Sequence, residues 1–138
     1  MKNNYSRQDG MTLMTLIAAM VIVSILSSLA YSNYSQYQQR ARRTEAKSAL
    51  MQIASNQERF YITNHSYTAN LNSLGFAGNQ TESGLYEITV SSADNQAFQA
   101  IAVPAPGSPQ ANDDDCQQFT IDSLSVLSAA PDPDGKCW

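Results

Sequence analysis

An uncharged run, MTLMTLIAAMVIVSILSSLAY from Met11 to Tyr31, begins directly behind a short polar leader that ends in Gly10. At ~1.5 Å per helical residue, about 20 apolar residues span a ~30 Å hydrocarbon core, so a transmembrane helix over 11–31 is expected. Ser24, Ser27 and Ser28 interrupt the apolar pattern, but in a helix their hydroxyls can bond back to backbone carbonyls. Where the run starts constrains the chain as much as what it contains. A secretory signal is cut after its apolar core, and the core is lost. A glycine on the near side of the core, followed by Met11-Thr12-Leu13, offers a cut that keeps it. A chain processed there would carry an apolar helix at its new N-terminus, able to sit in a membrane and later to pack against copies of itself.

The charges are segregated around this run. The net charge is −4. Lys2, Arg7 and Asp9 lie in the leader, and Arg40, Arg42, Arg43, Lys47 and Arg59 follow the apolar stretch. Beyond Arg59 the only base is Lys136, against nine acids. Phosphate contacts need clustered Lys and Arg, so no nucleic acid is expected on the acidic distal part. The excess of positive charge within about 15–20 residues of a span normally marks the cytoplasmic side. Here the bases after the run outnumber those in the leader, so this rule does not settle the orientation.

From Met11 to about Tyr61 there is neither Gly nor Pro, and one helix over 11–63 is predicted. Its first half is apolar all round. In its second half Ala46, Ala49, Leu50, Ile53, Ala54, Gln57, Phe60 and Tyr61 fall at helical spacing, with Arg42, Glu45, Gln52 and Arg59 largely off that stripe. Tyr31, Tyr34 and Tyr37 between the halves fit an interfacial aromatic belt. Asn64 to Gly84 is polar and turn-rich and reads as a connecting loop. Strand patterns follow at Leu85 to Ser91, Ala97 to Val103, Gln118 to Asp122 and, more weakly, Ser125 to Ser128. The segment PAPGSP, Pro104 to Pro109, breaks the sheet, and Pro131 to Gly135 is a turn. The expected fold is α+β: a long N-terminal helix, half membrane and half amphipathic, packed on a small antiparallel sheet of three to four strands. The domains expected are a leader over 1–10, the helix over 11–63 and a globular head over 64–138.

The stretch GMTLMTL, Gly10 to Leu16, resembles the GFTLIEL pattern of type IV pilins. The segment ARRTEAKSALMQIASNQERFYITNHSYTANLNSLGF is similar to the helix-to-loop region of PilE-like minor pilins, most specifically at Gln57-Glu58-Arg59-Phe60-Tyr61. The resemblance implies the pilin fold, a structural role and no enzyme activity. It implies a leader in the cytoplasm and a head outside. Gly10 would be the last leader residue and Met11 the first mature one, cut and methylated by the prepilin peptidase. Partners would be other pilin subunits, the inner-membrane assembly platform, and the membrane itself before assembly. Cys116 and Cys137 resemble the pair that bounds the C-terminal region of pilins, and in an outside compartment they should form one disulfide. Two departures bear on placement in a fibre. The family usually has Glu where Thr15 stands, and often Pro where Ser32 stands. The Glu neutralises the positive N-terminus of the packed chain, so Thr15 argues against dense self-stacking.

The remaining features have plainer readings. Asp113-Asp114-Asp115 and the turn Asp132 to Gly135 could supply oxygens to calcium, but a solvated acidic turn is the expectation, and no metal or other cofactor is assigned. His65 is the only histidine and reads as a loop residue. Asn64-His65-Ser66 and Asn79-Gln80-Thr81 match the glycosylation triplet as chance does. No catalytic constellation is present in the sequence. Two other functional readings stay open: a type II secretion pseudopilin, and an exported soluble binding protein. For the latter, Ser28-Leu29-Ala30 mimics an Ala-x-Ala cut that would make Tyr31 the first mature residue.

Overall fold

The computed structural model describes residues 12–138; of residues 29–33 and of Ser92 only the backbone is described. Compact units divide between Tyr37 and Gln38. Helix α1 runs Leu13–Asn64, followed by a 3-10 turn at Leu71–Leu74, strands β1 (Tyr86–Ala93) and β2 (Phe98–Pro104), a second 3-10 turn at Pro109–Asn112, and strands β3 (Gln118–Asp122) and β4 (Leu127–Ala130).

The helix persists because nothing in its sequence breaks it, and it ends by capping. His65 adopts a left-handed backbone, φ 55°, and its N–H donates to the Tyr61 carbonyl at 2.8 Å. The Asn64 side chain donates to the Phe60 carbonyl at 2.9 Å. Both bonds satisfy carbonyls that a helix end leaves open.

The four strands lie in chain order, β1-β2-β3-β4, and each pair is antiparallel. Alternation decides which face is buried. Tyr86 and Ile88 of β1, Phe98, Ala100 and Ala102 of β2, and Phe119 and Ile121 of β3 face inward. They join Ala46, Leu50 and Ile53 of α1 in a single core. The register matches Ile88 to Ala102, Ala100 to Ile121 and Phe119 to Ala129. Apolar partners thus meet on one face, and a slip of one residue would turn each of them to solvent. The amphipathic stripe read from the sequence is the face that packs.

Three strands differ from the limits expected: β2 runs Phe98–Pro104 rather than Ala97 to Val103, so Pro104, expected to break the sheet, ends the strand opposite Tyr86 instead. β1 extends to Ala93 through an irregularity between Val90 and Ser92. β4 covers Leu127–Ala130 rather than Ser125 to Ser128. The cause is Asp122, whose Oδ1 accepts from the N–H groups of Leu124 and Val126, both at 2.9 Å. With Ser125 at φ 59°, the chain turns where the sequence suggested a strand.

Among the described residues no helix is long and apolar enough to cross a membrane. The span expected over 11–31 runs beyond the described side chains at both ends. What remains between them is shorter than the ~20 residues a bilayer requires.

Candidate functional site

Among the described residues, the N-terminal part of α1 carries an exposed apolar surface. Leu13, Met14, Leu16, Ile17, Met20, Val21, Ile22, Val23, Ile25 and Leu26 are each about half to four-fifths exposed. They occupy every side of the helix rather than one stripe. The polar groups among them are turned inward on the backbone. Ser24, Ser27 and Ser28 donate to the carbonyls of Val21, Val23 and Ile25, each at 2.8 Å. Thr15 donates to the Thr12 carbonyl at 2.7 Å and accepts from the Thr12 hydroxyl at 3.4 Å. The hydroxyls therefore add little polarity to the outer surface, and Thr15 brings a dipole where the related pattern has a carboxylate. Gly10 and Met11, the expected processing residues, lie outside the described residues.

In the head, Cys116 and Cys137 are both buried and form a disulfide with Cα atoms 5.7 Å apart. The link holds the chain end against β3. Trp138 packs edge-on to Phe119, ring centroids 5.8 Å apart, and its indole N–H donates to the Ser128 carbonyl of β4. The turn before Cys137 is closed by Asp132, whose Oδ1 accepts from the N–H groups of Lys136 and Cys137.

The acidic run ahead of Cys116 is not uniformly solvated, contrary to the reading from sequence. Asp114 and Asp115 are exposed, but Asp113 is 2 % exposed and Arg43 6 %. The Arg43 guanidinium donates through Nε and a terminal nitrogen to the two Asp113 oxygens, both at 2.7 Å. The bond to Asp113 drives the Arg43 pKa above its ordinary value against the opposing effect of burial. Gln110, also buried, donates to the Tyr86 hydroxyl at 2.8 Å and to the Gln39 carbonyl at 3.3 Å. Burial pushes the Tyr86 hydroxyl up to about 12. This polar network fastens α1 to the segment entering the disulfide region. A signal for it exists in the sequence: Arg43 lies three residues before Ala46, on the stripe that continues through Leu50, Ile53 and Gln57. A cation on an apolar stripe requires a buried partner.

The Gln57 to Tyr61 motif is mostly consumed by the fold. The Gln57 amide pairs both ways with the Thr68 backbone, donating to its carbonyl at 2.6 Å and accepting from its N–H at 3.0 Å. Glu58 accepts from the Tyr67 hydroxyl at 3.1 Å. Phe60 packs on the core, and Tyr61 stacks on Tyr67 with centroids 4.7 Å apart. Among the described residues no group of three or more His, Cys, Asp or Glu is placed to hold a metal ion. His65 is exposed in the helix cap.

The architecture has known counterparts. The non-core minor pilin PilV of Neisseria meningitidis superposes with a TM-score of 0.55 at 22% identity, over 68% of this chain and 88% of that one. A type IV pilin from Shewanella oneidensis gives 0.48 at 23% identity, over 72% and 97%. By its likeness to PilV, the long helix on a four-stranded antiparallel sheet is the pilin fold. No curated protein matches in sequence. The profile of the family described as "Type IV minor pilin ComP, DNA uptake sequence receptor" matches residues 32–120. That match covers α1 beyond its apolar part, the connecting loop, the first two strands and the start of β3, and by it the chain belongs to the ComP family of type IV minor pilins.

Proposed function

We propose that this chain is a minor subunit of a type IV pilus, made with a leader over 1–10, processed between Gly10 and Met11, and carried into a fibre by its apolar helix. The observation that carries this reading is the all-round exposure of the apolar side chains from Leu13 to Leu26. An apolar surface of this extent needs a cover. The inner membrane supplies it before assembly, with the head in the periplasm, and the helices of other pilins supply it afterwards. Prepilin peptidase and the inner-membrane assembly platform are the partners this route requires. Its output is support for pilus assembly, adhesion, twitching motility or DNA uptake. The intact mass of the mature protein tests the route. A chain beginning at a methylated Met11 is expected, in sheared fibres as well as in membranes. A chain beginning at Tyr31 would instead establish an exported soluble protein, and recovery in a secretion pseudopilus would move it to that system.

Membership in a family described as a DNA uptake sequence receptor favours a second reading, capture of DNA. In this chain Arg43 is consumed by Asp113, and no Lys or Arg lies between Arg59 and Lys136. Any phosphate contacts would therefore come from α1, through Arg40, Arg42, Lys47 and Arg59, rather than from the sheet or the disulfide region. Filter binding of duplex DNA over a salt series tests this, because each phosphate contact adds about 0.9 to the slope of log K against log salt. A steep slope unchanged by removing these four bases would reject it.

A further inference from the structure

Arg59 is the member of the Gln57 to Tyr61 motif that the fold leaves unused: among the described residues it has no hydrogen bond or ion pair. It stands over a groove of about 770 Å³ between α1 and the Leu71–Leu74 turn. The groove is open to solvent along its length, so it suits an extended ligand rather than an enclosed one. The apolar lining residues, Phe60 and Leu74, belong to the core cluster or pack against it. About half of the surface the groove presents is polar. Gln52, Ser55, Thr63 and Ser73 line it, and among the described residues their side chains make no hydrogen bond. Asn56 spends its amide N–H on the Leu74 carbonyl at 2.8 Å and keeps its oxygen for a donor. One guanidinium beside a set of amides and hydroxyls matches a ligand with one carboxylate and several hydroxyl groups, since Arg reads carboxylates bidentately. A second groove shares Gln52 and Gly75 with the first and is bounded by Glu45 and Glu82. Along α1, Glu45 lies about 21 Å from Arg59 at ~1.5 Å per residue. A ligand acidic along its whole length would meet these carboxylates, whereas one acidic at a single end would not.

We infer that this groove binds an oligosaccharide carrying one terminal uronic acid, with the carboxylate on Arg59 and the neutral rings running toward Gln52. The binding is a property of the head, read without a fibre, so its failure leaves the pilus reading standing. Amide chemical shifts of the full chain in detergent micelles test it. Aldotriouronic acid, a glucuronate on neutral xyloses, is expected to give saturable shifts at Arg59, Ser73 and Gly75. Neutral xylotriose should bind about two- to fivefold more weakly, the worth of one solvent-exposed ion pair. Arg59→Ala should abolish the preference and Arg59→Lys should restore part of it, each with the remaining amide spectrum unchanged. Trigalacturonate should bind poorly to the native chain and better to Glu82→Gln. Equal binding of xylotriose, no saturable shift up to about 10 mM, a duplex DNA that shifts the same amides more tightly than the sugar, or an Arg59→Ala chain that keeps its preference would overturn the inference.

Discussion

Arg43 and Asp113 form a buried pair that is far costlier to break than to replace. Arg43→Ala leaves a desolvated carboxylate without its cation, and the expected loss is about 3–5 kcal/mol. Arg43→Met combined with Asp113→Leu removes both charges, and it should recover most of that loss in a urea titration. Tyr86 adds a pH dependence. Its folded pKa is raised from the ordinary tyrosine value near 10 to about 12, so the folded chain holds this proton more tightly than the unfolded one. Its stabilising contribution is therefore complete below about pH 10 and is lost as pH rises through about 12. Tyr86→Phe should lose about 1 kcal/mol at neutral pH with the Gln110 bond. It should also show a shallower alkaline decline than the native chain. A native decline no steeper than that of the variant would remove Tyr86 as its cause. The apolar stripe of α1 is readable from spacing alone, since burial follows the helical period. The same stripe shows that Arg43 needs a buried partner but not that the partner is Asp113, which lies 70 residues away with no local pattern joining the two.

The β3–β4 hairpin owes its shape to one carboxylate and one strained residue. Asp122→Ala removes two N–H acceptors in the turn and should cost about 1–2 kcal/mol. Ser125→Gly relieves the positive φ and should be neutral or stabilising by up to about 1 kcal/mol. Guanidinium melts of the two variants should thus move in opposite directions, and a destabilised Ser125→Gly would show that its side chain does more than tolerate the turn. The disulfide acts on the same region. Cys137→Ser should destabilise the head by about 2–5 kcal/mol, and the Trp138 fluorescence should report the release of the chain end from Phe119. β3 was legible because Phe119 and Ile121 alternate with polar residues between clear breaks. β4 was displaced by two residues because the competing signal is a side-chain bond from Asp122, which alternation cannot register. The acidic run was misread for a similar reason: three consecutive aspartates look alike in sequence, yet only Asp113 meets a cation.

At the scale of the molecule, the question is how one apolar surface is exchanged for another. The fold class was legible because a long helical stripe followed by alternating segments points to a helix on an antiparallel sheet, whereas the order of strands within the sheet has no local signature. For placement in a fibre we propose that Thr15 is the limit, its hydroxyl being already engaged with Thr12. A methylated amine at Met11 would find a dipole there rather than a counter-charge, and a charge without a partner in an apolar interior is expensive. This chain is therefore expected to form no long homopolymer and to appear sparsely, or at the tip, in fibres of another pilin. Thr15→Glu should raise its density along the shaft in immunogold images of sheared fibres. Dense labelling of the native chain with no other pilin present would remove Thr15 as the limit.

The strand order bears in turn on how fast the head is made. Each strand pairs with the one that follows it in the chain, so every pairing is local and its loop-closure entropy small. The bonds from Arg43 to Asp113 and from Gln110 to Gln39 span 70 and 71 residues and carry the larger loop-closure cost. A head that zipped its hairpins before α1 docked would leave few strand edges unpaired on the way, which limits aggregation.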